Sequence, residues 1–204
     1  MTQTSSPFDD AGVRDALRGA LPGYLPAQRW FGDKARAIRS VDLAAAFEIP
    51  ALAVPAAYIV IEVTFRDGGA VRYGLPLAVG QADATGIVCT VDIDGGPRAI
   101  RDALLEPGFR DWVLGLLIDA NPLQTGAGRL VIDRTGQARS RFERLRTAAS
   151  RVLGAEQSNS SLVFGDDAFV KLFRRLQAGI NPDVELTRFL TVKAGFANTP
   201  QFLG

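Results

Sequence analysis

The chain has 204 residues, 47% of them hydrophobic, with 23 Lys and Arg against 22 Asp and Glu and a net charge of +1. That is enough apolar material for one large domain or two small ones, and nothing in the even charge balance asks for a polyanionic partner such as nucleic acid. A single cysteine, Cys89, and no histidine exclude an internal disulfide framework, cysteine zinc sites, His-ligated metals and His-dependent nucleophilic triads.

The N-terminal ten residues are polar and acidic, unlike a secretory signal. Ser6-Pro7 precedes an apolar spacing of Val13, Ala16, Leu17, Ala20 and Leu21, which predicts a capped amphipathic helix stopped by Pro22-Gly23. The most apolar window, 49–63, is interrupted by Pro50, Pro55 and Glu62 and is too short to span a bilayer. A cytoplasmic protein is therefore expected, with neither membrane nor nucleic acid as partner.

From residue 38 the texture changes to strands, expected at 41–49, 58–65, 71–79 and 86–93, with Asp67-Gly68-Gly69 as a hairpin turn. After Asp94-Gly95-Gly96-Pro97 the period reads as helical, first through Ile100, Leu104 and Leu105. A second helical run follows through Phe109, Trp112, Val113, Leu116 and Leu117, closed by Asn121-Pro122 and Gly126-Ala127-Gly128. Short strands are expected at 129–134 and 150–153, then a hairpin turning on Gly165-Asp166-Asp167. Asn181-Pro182-Asp183 opens a last helix, with Asn as N-cap, Pro at its first position and acid in its first turn. The expected organisation is α+β, with units at 1–96 and 97–204.

The stretch 156–175 carries the chemistry. Alternation along 168–173 puts Ala168, Val170 and Leu172 on one face and Phe169, Lys171 and Phe173 on the other. By alternation alone Lys171 reads first as a side chain that snorkels to water. The last helix adds a second possibility, because Glu185 shares a face with Phe189 and Val192, and a carboxylate on a packed face needs a positive partner. A first-turn glutamate is also favoured by the helix dipole alone. Yet a strand lysine followed by a helix glutamate is the order in which protein kinases hold nucleotide phosphates. The loop Gln157-Ser158-Asn159-Ser160-Ser161 precedes them. By itself it reads as a turn, and Asn159-Ser160-Ser161 fits a glycosylation acceptor that has no secretion signal to support it. In the kinase order its amides and hydroxyls sit where a phosphate-covering turn belongs.

The segment running from Leu153-Gly154 through Phe164-Gly165, then Val170-Lys171-Leu172-Phe173-Arg174-Arg175 and Asn181-Pro182-Asp183-Val184-Glu185, resembles the bacterial maltokinase family. Upstream, Gln28-Arg29-Trp30-Phe31-Gly32-Asp33-Lys34-Ala35-Arg36 resembles the signature of that family's N-terminal cap. The resemblance implies a cystatin-like cap, a helix on an antiparallel sheet, followed by a protein-kinase-like N-lobe that forms an intermediate subdomain. It implies transfer of the ATP γ-phosphate, with Mg²⁺, to maltose, giving maltose 1-phosphate. Glucosamine or aminoglycoside kinases of the same fold, and a non-catalytic cap or docking module, are the alternatives. Carried over by position, Ser158, Asn159, Ser160 and Ser161 match the phosphate loop, Lys171 the phosphate-binding lysine and Glu185 its helix partner. Ser160 stands where Thr is common in the family.

The chain stops at what resembles the start of the fourth kinase strand, 196–204. The catalytic groups, the Mg²⁺ ligands and the sugar site are thus expected beyond Gly204, with no metal site in this chain, no phosphotransferase activity from it alone and at most weak ATP binding. The expected partners are a missing C-terminal lobe, the sugar, and trehalose synthase, to which some members are fused. Of the cap motif, Trp30 and Phe31 are expected to pin a turn onto the sheet while Arg29, Lys34 and Arg36 stay wet; Trp112 is expected in the core.

Overall fold

The computed structural model describes residues 6–50, 52–82, 85–125, 128–135, 138–154 and 158–204. Helix α1 (Ala11–Ala27) is built on Val13, Leu17, Leu21 and Leu25, an i, i+4 stripe that is buried throughout. Its N-cap is Asp10, whose Oδ1 accepts the Val13 N–H at 3.0 Å, whereas Ser6 leads only the 3₁₀ turn Pro7–Asp9. The stop expected at Pro22-Gly23 does not occur, and the helix runs through Pro22 and Pro26. A proline inside a helix costs about 3 kcal/mol. Carrying the stripe on to Leu21 and Leu25, both fully buried, offsets this by roughly 1.5–3 kcal/mol for each leucine. Burial wins over propensity.

Strands β1 (Ile38–Ile49), β2 (Ala56–Phe65), β3 (Ala70–Gln81), β4 (Ile87–Ile93) and β5 (Gly96–Asp102) pair antiparallel in the order β1-β2-β3-β5-β4. Helix α1 touches both β1 and β4, the two ends of that path. A flat sheet of five strands would be about 19 Å across at about 4.8 Å per strand gap, while a helix is only ~10–12 Å thick. The sheet must therefore curl around α1. Its inner face supplies Val41, Leu43, Ile59, Ile61, Val63, Leu75, Leu77 and Ile100 to a first core with the α1 stripe.

The helical period expected from Pro97 is replaced by β5, and only Ala103–Leu105 forms a 3₁₀ turn. The reason lies in Asp94 (φ 55°) and Gly95 (φ 78°), which both take the left-handed conformation. Two consecutive residues of that kind make the tight hairpin turn that matches strand twist. Asp94-Gly95 thus joins two strands, and β5 runs across position 96, where the sequence suggested a division.

Beyond the sheet lie α2 (Pro107–Asp119), a two-stranded hairpin of β6 (Leu123–Thr125) and β7 (Gly128–Leu130), and α3 (Ala138–Arg144). The strand expected at 129–134 is therefore shorter, because Arg134 caps the carbonyl end of α2 instead: its Nη1 donates to the Leu117 oxygen at 3.1 Å and to the Ile118 oxygen. Part of the Gly126-Ala127-Gly128 loop, residues 126 and 127, lies outside the described residues. A second antiparallel sheet follows in the order β10-β9-β8, from β8 (Ser150–Leu153), β9 (Asn159–Phe164) and β10 (Ala168–Phe173). Phe109, Leu114, Ile118, Phe142, Leu145, Leu162 and Phe164 form a second core against Ile49, Ala56 and Ala78 of the large sheet, with Trp112 half-buried beside it.

The two layers join at β11 (Arg175–Leu176), which pairs with β3 at Tyr73 and Arg72. The same edge of β3 pairs with β5 only from Leu77 onward. Gly74 donates its N–H to the Arg174 carbonyl at 2.7 Å. With a period of two, Pro76 is the next residue facing that way, and it has no N–H to leave unpaired in the gap between β11 and β5. The chain then enters α4 (Pro182–Arg188), which continues as a π turn, Phe189–Lys193. Among the described residues no helix is long and apolar enough to cross a membrane.

Replacing Leu21 by Ala, in the turn that overrides the proline, should lower the unfolding free energy by ~2–5 kcal/mol. Urea denaturation followed by circular dichroism reads this directly, and a loss under 1 kcal/mol would show that α1 is not held by its leucine stripe.

Candidate functional site

The β9–β10 hairpin sorts the polar residues by face. Its register sets Lys171 opposite Ser161, Leu172 opposite Ser160 and Phe173 opposite Asn159. Opposed residues share a face, so Asn159, Ser161, Lys171 and Phe173 stand together, while Ser160 joins Leu162, Phe164, Val170 and Leu172 on the core side. Ser158 is exposed at the start of the hairpin. The Ser161 hydroxyl is fully buried on the Lys171 face and has no hydrogen-bond partner among the described residues. The four residues expected to act as one phosphate loop are thus split. Ser158, Asn159 and Ser161 lie on or lead to the lysine face, and Ser160 turns inward. Gln157, expected in the same loop, lies outside the described residues.

Lys171 does not pair with Glu185. Its Nζ lies 2.7 Å from Asp183 Oδ2 and 5.8 Å from the Phe173 ring centroid. Glu185 is exposed, and so are Phe189 and Val192, each at 53% of its full accessible surface. The face expected to pack is therefore the outer one. Periodicity groups Glu185 with Phe189 and Val192 but cannot say which side of the helix the body covers. Two contacts mark the inward side: Asp183 to Lys171 and the Phe202 N–H to Thr191 Oγ1 at 3.2 Å; Arg188, on the flank nearer Glu185, reaches Asp133 Oδ2 at 2.6 Å.

Behind the hairpin sits a buried cation. Arg174 follows β10, and its side chain is 1% exposed. Its Nε donates to Ser160 Oγ at 3.0 Å, its Nη2 reaches Asp102 Oδ2 at 2.6 Å, and its Cζ lies 4.8 Å from the Trp30 ring centroid. Nη1 has no hydrogen-bond partner among the described residues. Gly74 is part of the same junction: a side chain there would run into the Tyr58 hydroxyl and ring, so only glycine lets Tyr58 lie across β3. Burial pushes the phenols of Tyr24 and Tyr58 above their ordinary range; Asp102 adds to the shift at Tyr24, and Arg174 opposes both.

The Gln28–Arg36 motif meets this junction from the other side. Trp30 and Phe31 are buried, with Phe31 5.1 Å from the Tyr73 ring centroid. The expected wet rim is only partial. Arg29 and Lys34 are exposed, but Asp33 is buried and accepts the Tyr73 hydroxyl hydrogen, and Arg36 is half-buried. Arg36 grips Asp67 with two hydrogen bonds of 3.0 and 2.8 Å, lies 3.8 Å above the Phe65 ring, and holds the Asp67 carboxyl below its ordinary range. The motif fastens the β2–β3 turn and supplies Trp30 to Arg174.

Residues 24–105 match the Maltokinase N-terminal cap domain. The match begins in the last turn of α1 and ends with the 3₁₀ turn after β5, so the curled sheet and the Trp30 motif lie within the residues that resemble this cap. Lys171, Asp183 and Ser158–Ser161 lie outside the matched residues, and Arg174 is the side chain that ties them to it through Asp102 and Trp30. Sequence reasoning missed Arg174 although a signal was present. Continuing the inward alternation of Ala168, Val170 and Leu172 by one step lands on Arg174.

Truncating Arg174 to Ala leaves the half-buried Asp102 carboxylate with the Leu104 N–H but without its cation, a change that should cost up to ~3–5 kcal/mol. Arg174→Lys keeps the charge but not the fork to Ser160 and Asp102, and should recover only part of it. Guanidinium denaturation of the three proteins checks the order; equal stability of wild type and Arg174→Ala would remove this side chain from the account.

Proposed function

We propose that this chain carries the cap and the nucleotide-facing layer of an ATP-dependent sugar kinase of the maltokinase type, which transfers the ATP γ-phosphate to maltose. The observation that carries the reading is the lysine face of the β9–β10 hairpin. A partly exposed ammonium stands there beside an amide and a buried hydroxyl with no partner among the described residues, and the whole face is fastened by Arg174 to a sheet that matches the maltokinase cap. Such a donor set fits phosphate oxygens, because charge-assisted hydrogen bonds from lysine are roughly twice as strong as neutral ones.

In this reading Lys171 holds the α- and β-phosphates, and Asn159 and Ser161 supply neutral donors beneath it. Ser158 marks the open end of the hairpin, and Ser160 acts indirectly, by orienting Arg174. The helix after the lysine contributes one carboxylate, that of Asp183, to the placement of the ammonium. The described residues gather no three Asp, Glu, Cys or His side chains able to hold a cation, so Mg²⁺ and the sugar are assigned to no residue here. The rest of the kinase lobe, the sugar and trehalose synthase are the partners this reading proposes.

Two measurements test it. Titration with Mg·ATP by calorimetry should show binding that Lys171→Met weakens at least tenfold, since a hydrogen bond to a charged group contributes ~1.5–3 kcal/mol. Assays with ATP, Mg²⁺ and maltose or glucosamine should give no turnover from this chain by itself. Equal ATP affinity in wild type and Lys171→Met would overturn the phosphate reading, and turnover at ~1–100 per second would place catalytic groups among residues not assigned here.

A further inference from the structure

The first turn of α4 offers Lys171 two carboxylates that cannot serve it together. Asp183 and Glu185 are two positions apart, so they point about 200° away from one another around the helix axis. The structure uses Asp183, with its Oδ2 2.7 Å from the ammonium. That residue is anchored from both sides. Its N–H donates to the Asn181 side chain at 2.9 Å, and its carbonyl accepts the Thr187 hydroxyl at 2.7 Å. The Asn181 cap thus aims the Asp183 carboxylate at the lysine, while Glu185 faces outward with Phe189 and Val192.

We infer that Asp183, rather than Glu185, is the positioning residue for Lys171, and that it is the anion with which an incoming phosphate competes. This rests on the reading of the hairpin face as a phosphate site. The Lys171 and Asp183 side chains are 31% and 49% exposed. Exposed pairs of this kind hold weakly, so a polyphosphate can take the ammonium over. With the carboxylate so close to Nζ, any phosphate oxygen on the same ammonium also meets a like charge. Asp183 therefore places the lysine and at the same time weakens anion binding.

The chain has only three lysines, Lys34, Lys171 and Lys193, so ¹³Cε-lysine labelling of the full chain gives three signals that single substitutions assign. Asp183→Asn should move the Lys171 signal, Glu185→Gln should leave it in place, and Asp183→Glu should restore part of the wild-type position. In titrations with inorganic tripolyphosphate and with Mg·ATP, Asp183→Asn should bind about two- to fivefold more tightly than wild type. A Lys171 signal that responds to Glu185→Gln and not to Asp183→Asn overturns the inference, as does weaker tripolyphosphate binding by Asp183→Asn. If Asp183→Asn alone moves the signal and neither probe binds any variant, the pairing stands and the phosphate-site reading is what fails.

Discussion

The fold turns on a buried cation. Taking a guanidinium out of water costs several kcal/mol unless opposite charge and hydrogen bonds replace the lost hydration. Arg174 meets that cost from three separate places in the chain. The carboxylate comes from Asp102 at the end of β5, the hydroxyl from Ser160 at the start of β9, and the aromatic face from Trp30 in the turn after α1. Each partner must be in place for the charge to be tolerated, so one side chain fixes the large sheet, the Trp30 turn and the hairpin relative to one another.

The backbone around Arg174 obeys the same constraint. Gly74 donates its N–H to the Arg174 carbonyl where β11 meets β3, and its missing side chain leaves room for the Tyr58 ring beside the same junction. Pro76 then covers the gap in the β3 edge by having no donor to satisfy. A glycine and a proline in a central strand would ordinarily weaken it. In β3 they mark the place where the second layer is fastened to the cap.

On the far side of the hairpin the polar groups are less constrained. Lys171, Ser161 and Asn159 share a face because pairing register leaves no alternative. The choice of carboxylate on the lysine is decided by an exposed ion pair and by a helix held through Arg188 and Thr191, all weaker than the Arg174 cluster. The rigid part of the arrangement is therefore the junction with the cap, and the adjustable part is the face offered to a ligand.

The sequence by itself determined the apolar face of α1 as far as Leu21, four strands of the curled sheet, the hairpin that carries Lys171 and the Asn181 cap of α4, because period, turn residues and caps are local. It also determined that Lys171 and the Ser158–Ser161 stretch come close, since a tight hairpin permits little else. Only the tertiary structure decided that α1 continues through Pro22, because the reward comes from leucines buried against strands distant in sequence. Likewise it decided that β5 is a strand, which needed the edges of β3 and β4 to pair with. The partner of Lys171 was beyond reach for the same reason: spacing places Asp183 and Glu185 on opposite faces of a helix, and only the contacts of Lys171 and Phe202 with it determine which face turns inward. Alternation along β10 points Arg174 inward, but its partners Asp102 and Trp30 stand 72 and 144 positions away, so only the tertiary structure shows what closes around it.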